Sequence, residues 1–255
     1  MTAQKPNEAE IGPGADLTGR VALVTGAAKR TGRALALALA RAGASVAVHC
    51  QSSLEEARSV VTEIESIGQK AYVVSVDLRD PVATETAFRE AAQALGGLDI
   101  LVNNVGTIVW KPFADHASED WRDCLNGTLF VTLNASQAAL PFLRQSVQGR
   151  IINILDADAD ATDPVPFATA YKIGKRATFT LTKTMAITEA PHGVTVNAVS
   201  PGTLEDSGVK PALETIPAGR FGTYADIAHS VLFLAGPGAA YVTGAHLKVS
   251  GGYLI

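Results

Sequence analysis

The stretch Val21-Ala22-Leu23-Val24-Thr25-Gly26-Ala27-Ala28-Lys29-Arg30-Thr31-Gly32 passes from an apolar run through a glycine-bearing turn into an Ala/Leu-rich segment, residues 31–42. The run 21–25 shows no polar alternation, so it reads as a strand buried on both faces, and residues 31–42 read as a helix. Working outward, the same alternation repeats. Strand candidates lie at 45–49, 71–76, 100–103, 150–155, 194–199 and 246–249, with helical stretches between them, such as 54–67. Continuously apolar strands separated by helices predict a parallel sheet covered on both faces. Seven of them in one chain predict a doubly wound α/β fold, a single Rossmann-type domain over residues 17–255. Residues 1–16 are polar and carry Pro6, Gly12, Pro13 and Gly14, so they read as a flexible tail.

Composition narrows the function classes. Of 255 residues, 47% are apolar and 18% charged, which excludes wholesale disorder. The 21 Lys and Arg against 25 Asp and Glu give a net charge of −4, without the basic excess of a nucleic-acid binder. Two cysteines, Cys50 and Cys124, are too few for a disulfide framework or a zinc site and fit a reducing, cytoplasmic setting. Arg41 and Ser45 interrupt the best apolar stretch, so no membrane span is expected, and no charged segment leads into an apolar run as in a signal peptide. The histidines at 49, 116, 192, 229 and 246 have no metal-ligand spacing. The acidic loop 156–163 lacks a calcium loop's sixth-position glycine, having Ala161, and its twelfth-position acid, having Phe167.

Two features carry chemistry. A glycine turn between a strand and a helix lets backbone N–H groups approach a pyrophosphate at the helix N-terminus. Tyr171 and Lys175, four residues apart, share one helix face. A free tyrosine titrates near a pKa of about 10, so it needs a neighbouring cation to exchange protons at neutral pH.

Asp77-Leu78, Asn103-Asn104-Val105-Gly106, Tyr171-x-x-x-Lys175 and Asn197-Ala198-Val199-Ser200-Pro201-Gly202 follow the glycine turn in order. Through these motifs the chain, from about Leu17 to Tyr253, resembles the short-chain dehydrogenase/reductase family. Arg30 stands where that family usually has its middle glycine, and Asp156 in Ile151-Ile152-Asn153-Ile154-Leu155-Asp156-Ala157 stands where it has a serine. Both departures resemble the pteridine reductase branch. The resemblance implies cofactor contacts from Gly26, Lys29, Arg30, Thr31, Gly32, Ser52, Ser53, Asp77, Leu78, Asn104, Gly106, Pro201, Gly202 and Thr203. It also implies that Lys175 holds the nicotinamide ribose and that Tyr171 transfers the proton.

NAD-specific Rossmann sites usually end the second strand with an acid. Here that place is Cys50, followed by Gln51, Ser52 and Ser53, with no carboxylate before Glu55. With Lys29 and Arg30 nearby, NADP(H) is expected, with Lys29, Ser52 and Ser53 closest to the 2′-phosphate. The plainer reading makes Lys29 and Arg30 solvated charges and Ser52 the cap of the next helix. In the serine's place Asp156 is preferred by strand register, while Asp158 competes at the family's usual spacing before Tyr171. The family's further asparagine falls at Thr128, with Asn126 two residues early on another helix face. Ile108 stands where pteridine reductases stack the pterin ring, and Trp110 offers a flat surface instead.

The expected function is NADPH-dependent reduction of a C=N or C=O group in a small polar substrate. The alternatives are a general ketone or 3-oxoacyl reductase and a catalytically silent NADP(H)-binding regulator. The acidic loop, with Glu205 and Asp206, would favour a cationic substrate. Residues 204–220 take the place of the family's substrate lid. The resemblance further implies a homotetramer, with which the Ala-rich face at 135–139 is compatible.

Overall fold

A computed structural model describes residues 15–254. Seven parallel strands form one sheet: β1 Val21–Val24, β2 Ser45–Cys50, β3 Ala71–Ser75, β4 Ile100–Asn103, β5 Arg150–Ile154, β6 Thr195–Pro201 and β7 His246–Val249. Their spatial order is β3-β2-β1-β4-β5-β6-β7. This is the doubly wound architecture expected from the apolar runs. The helices are α1 Arg30–Arg41, α2 Leu54–Ser66, α3 Pro81–Leu95, α4 Ser118–Leu125, α5 Val131–Leu143, α6 Thr169–Glu189 and α7 Tyr224–Ala235.

Alternation along each strand sends side chains into two cores. Ala22 and Val24 of β1 join Val46, Val48, Ile100 and Val102 beneath α1, α2 and α7. Leu23 joins Ala47, Leu101 and Ile151 beneath α3, α5 and α6, where Phe88 and Leu143 are fully buried. Helix α1 buries six consecutive residues, Leu35 to Ala40, because it lies between the sheet and α7. Ala135, Ala138 and Ala139 also face the chain's own core, so that small-residue face is not available for packing between subunits.

Helix ends follow local chemistry. Asp80 caps α3 by accepting from Val82 and Ala83 N–H, Pro81 opens the helix, and Gly96 closes it at a φ of 90°. Between α4 and α5 the chain widens into a π-turn, Asn126–Phe130. Residues 1–14, most of the expected tail, and Ile255 at the end of the expected domain lie outside the described residues, while Ala15 already packs against the first core.

The strand order reverses direction between β1 and β4, which opens a crevice at their C-terminal ends. A buried amide network fixes what lies beyond. Asn103 Nδ2 donates to Ser136 Oγ (3.1 Å) and Asn153 Oδ1 (2.9 Å), and Asn153 Nδ2 donates to Thr182 Oγ1 (2.8 Å). It joins β4 and β5 to α5 and α6, so α6 is held in register with the sheet.

Gly32, in the first turn of α1, is pressed against the glycine turn: a Cβ there would lie 2.1 Å from the Gly26 carbonyl oxygen. That neighbour is backbone and cannot rotate away. Gly32→Ala is expected to cost about 1–3 kcal/mol, as overpacking does. The urea midpoint should fall with the slope unchanged; an unchanged midpoint would mean that the turn and helix are not so closely fitted.

Candidate active site

The glycine turn is gripped from two sides. Thr25 Oγ1 accepts from the N–H groups of Asn104 (2.9 Å) and Val105 (3.2 Å), and Asn104 Nδ2 donates to the Thr25 carbonyl (3.0 Å). From β2, His49 Nδ1 accepts from Gly26 N–H (3.0 Å), its carbonyl accepts from Ala27 N–H (2.8 Å), and Nε2 donates to the Val76 carbonyl (3.1 Å). Burial lowers His49 to about 4, although the Val76 carbonyl and Asp77 favour its cation. Gly26 takes a φ of 64°. Arg30 takes 51°, a left-handed conformation that disfavours a side chain and suits the glycine it replaces.

The side chain of Arg30 lies away from the helix N-terminus. Its Nε stands 3.0 Å from Asp206 Oδ2 and its Nη2 donates to the Asp206 carbonyl (3.2 Å), while the Tyr224 hydroxyl donates to the same carboxylate. Arg30 thus ties the glycine turn to the segment after β6. That segment is closed at its base by Gly222 N–H donating to the Thr203 carbonyl (2.9 Å). Gly202 packs on Ser250 so closely that a Cβ would lie 2.7 Å from the Ser250 Cα.

A cleft of about 400 Å³ opens beside the turn, lined among others by Gly26, Lys29, Ser52, Ser53, Asp77 and Leu78. These expected residues are joined by Gln51 and Arg79, which sequence reasoning missed. Arg79 grips Asp77 through Nε (2.9 Å) and Nη2 (2.6 Å), and that contact holds the carboxyl below its usual range. The N-cap of α2 is Ser53 rather than Ser52, and its hydroxyl makes no capping bond. Lys29 Nζ is 2.7 Å from Glu56 Oε1, so its charge is paired rather than merely solvated. The glycine turn, the N-terminus of α1 with Thr31 half-buried in its first turn, and a β2 end without a carboxylate fit a dinucleotide.

Tyr171 and Lys175 lie in the first two turns of α6 against Gly106. A Cβ on Gly106 would be 3.2 Å from Lys175 Nζ and 3.5 Å from Tyr171 Cε2, so the glycine allows the close approach. Lys175 is buried and donates to the Ile154 carbonyl (2.6 Å); burial lowers it to about 8, opposed by Asp156. Burial keeps the Tyr171 phenol protonated well above its usual range, reinforced by Asp156, Asp158 and Cys124.

Three carboxylates of the acidic loop, those of Asp156, Asp158 and Asp160, are paired with cations. Lys172 Nζ meets Asp156 Oδ2 (2.8 Å) and Asp158 Oδ1 (2.9 Å), and Lys248 meets Asp160 (2.8 Å). Arg176 stands 3.9 Å from Asp158 and donates to the Asp163 carbonyl (3.0 Å). The acids expected to favour a cationic substrate are thus in part engaged by the chain's own cations. Asp156 and Asp158, expected as competitors for one place, converge on one ammonium. Sequence reasoning missed Lys172; the signal was a cation next to Tyr171 in a chain with four nearby acids.

The π-turn settles the geometry of Thr128 and Asn126. Thr128 is buried, 3.3 Å from a Cβ placed on Gly174 and in contact with Thr107, while Asn126 is exposed. Ile108 is half-exposed, and Trp110 stacks on Phe167 with ring centres 6.2 Å apart. Among the described residues no group of His, Cys, Asp and Glu could hold a metal ion, and no helix is long and apolar enough to cross a membrane.

Residues 20–215 match the family model described as short chain dehydrogenase. An uncharacterized oxidoreductase of Escherichia coli K12, YohF, is 36% identical over 245 residues, covering 92% of this chain and 96% of the relative. The 3-oxoacyl-[acyl-carrier-protein] reductase FabG of Staphylococcus aureus is 35% identical over 239 residues, covering 91% and 96%. Among solved structures, a short chain dehydrogenase from Burkholderia cenocepacia J2315 in complex with NADP is similar with a TM-score of 0.86. It is 35% identical and covers 93% of this chain and 98% of that one.

Burial of the His49 imidazole gives the turn a pH dependence. The folded chain keeps His49 neutral down to about pH 4, whereas in the unfolded chain it takes up a proton near pH 6.5. Its contribution is whole above pH 6.5 and is lost as pH falls toward 4, about 3 kcal/mol in all. In His49→Gln this part of the slope should vanish, measured as urea midpoints at pH 7 and pH 5. Equal slopes in both proteins would refute the assignment.

Proposed function

The chain belongs to the short chain dehydrogenase family and is an oxidoreductase, and from that premise we propose that it is an NADPH-dependent reductase of a C=N or C=O group in a small polar substrate. The observation that carries this reading is the convergence of Tyr171 and Lys175 on Gly106 beside the crevice between β1 and β4. When bound, NADPH supplies the hydride from its nicotinamide ring. Gly26 and Gly32 leave the backbone open to the phosphates. Lys29, Ser52 and Ser53 would hold the 2′-phosphate, and Lys175 would hold the nicotinamide ribose. Tyr171 gives its proton to the substrate heteroatom, and the Lys175 cation offsets the phenolate left behind. A phenol held protonated suits the reductive direction.

Arg30 and Asp156 support the pteridine reductase-like branch, with Trp110 rather than Ile108 offering the flat surface. A second reading, reduction of a ketone or 3-oxoacyl group, draws support from the FabG relatives and from one contact. A bare carboxylate at Asp156 would repel a developing alkoxide, but Lys172 binds it at 2.8 Å. The family resemblance supports a cytoplasmic homotetramer as the setting.

Isothermal titration should show NADPH binding more tightly than NADH, and Glu56→Gln, by releasing Lys29, should widen the gap. Tyr171→Phe should lower kcat about 100-fold or more, the usual contribution of a general acid, without weakening NADPH binding. Tighter NADH binding would sink the cofactor assignment, and full turnover in Tyr171→Phe the proton donor. NADPH binding without oxidation across ketones, imines and pterins would favour a silent regulator.

A further inference from the structure

Lys172 is the residue after Tyr171, and its ammonium joins two carboxylates from the loop that follows β5. The contact is largely withdrawn from water, with the side chains of Lys172 and Asp158 only 14% and 13% exposed. Asp156 is fixed from its other side, where Oδ1 accepts from Ala157 N–H (2.9 Å). Arg176, one turn further along α6, reaches Asp158 only at 3.9 Å. Lys172 is thus the cation in close contact with both acids.

The titratable groups around Tyr171 come from three elements. Asp156 and Asp158 come from the loop, and the Cys124 thiol, which burial keeps protonated, comes from α4, near Asp120 and Asp123. Lys172 and Lys175 come from α6 itself, with Lys175 Nζ 5.7 Å from the centre of the Tyr171 ring. Resting on the reading of Tyr171 and Lys175 as the reacting pair, we propose that Lys172 is a positioning residue that clamps Asp156 and Asp158 together and offsets the negative charge they turn toward that pair.

The physical need follows from proton donation. Tyr171 becomes a phenolate when it gives up its proton, and uncompensated carboxylates beside it oppose that charge. Asp156 also acts on Lys175, whose ammonium it favours against burial. A cation on Asp156 opposes both effects, and Lys175, which burial pushes down to about 8 against the pull of Asp156, is the group on which the second can be read. Lys172 itself is pulled down by burial, but the two carboxylates outweigh that and hold it above the ordinary lysine value. The clamp therefore stays charged throughout the range in which Lys175 titrates.

The test is an NMR titration of the cofactor-free full chain carrying carbon-13-labelled lysine, with the Lys175 signal assigned through Lys175→Met. In Lys172→Gln the Lys175 midpoint should rise by about one pH unit, the effect of exposing a group to an adjacent opposite charge. Lys172→Arg should leave it near its wild-type position, and adding Asp158→Asn to Lys172→Gln should bring it part of the way back. An unchanged midpoint in Lys172→Gln overturns the proposal. If that variant does not fold, the same rise is expected when Lys172→Gln is added to Asp158→Asn, and its absence is equally fatal. The pH profile of NADPH oxidation should move with the same variants; a uniform loss of turnover at every pH would leave Lys172 a structural role only. Full turnover in Tyr171→Phe would overturn the reaction reading whatever Lys175 does, so the two failures are distinguishable.

Discussion

Thr25 and Asn104 close the point at which the sheet reverses its direction of growth, and everything at the crevice depends on that clasp. Strands β1 and β4 are neighbours in space but almost eighty residues apart in sequence, and their loops leave in different directions. One hydroxyl accepting two backbone N–H groups, and one amide donating back, hold the loops together where they part. The clasp also explains the absence of a side chain at Gly32, whose Cβ would meet both the Gly26 carbonyl and the Asn104 amide. His49 completes the grip from β2. A polar clasp of this kind is costly to leave half-made, because each partner removed strands a buried donor or acceptor.

On the other side of the crevice the governing term is charge rather than backbone. The acids after β5 are matched by cations from α6 and β7, and pairs as exposed as Lys29–Glu56 contribute little to stability. Their importance lies in the field at Tyr171. Two charges about 4 Å apart interact by about 1 kcal/mol in water and several times more near a protein surface of lower effective dielectric. Since 1.36 kcal/mol is one pKa unit, a single neighbouring ion is enough to move a proton donor. Arg30 applies the same logic to the segment after β6, holding Asp206 at the expense of an unfavourable backbone conformation.

The strands were legible because a parallel strand buried on both faces is nearly continuously apolar, as Val21–Val24 and residues 100–102 are, each buried at every position. The glycine turn and the Tyr171–Lys175 pair were legible for a similar reason: each is local, spanning a few residues of fixed geometry. What escaped the sequence was non-local or departed from an ideal period. A helical period of 3.6 residues cannot anticipate the π-turn at Asn126–Phe130, which buries Thr128 and exposes Asn126. Ser53 rather than Ser52 occupies the N-cap position of α2, a shift of one residue that local composition does not resolve. The partners of Arg30 and Lys29 are set by tertiary packing, Asp206 lying 176 residues beyond Arg30.

The exchange of a serine for Asp156 illustrates why a residue cannot be read apart from its contacts. A serine offers a neutral hydroxyl that donates toward a developing alkoxide. An isolated aspartate offers the opposite sign and would oppose the same reaction. Bound to Lys172 and near Asp158, it becomes part of a cluster whose field depends on distances rather than on its formal charge. An ion pair cancels at long range but not at close quarters, where the nearer end dominates. On the proposed reading of Tyr171 as proton donor, displacing one carboxylate relative to the ammonium would alter proton transfer while every reacting side chain stayed in place. The loop after β5 would then be an electrostatic part of the site, with the pairing of Asp156 to Lys172 mattering as much as its identity.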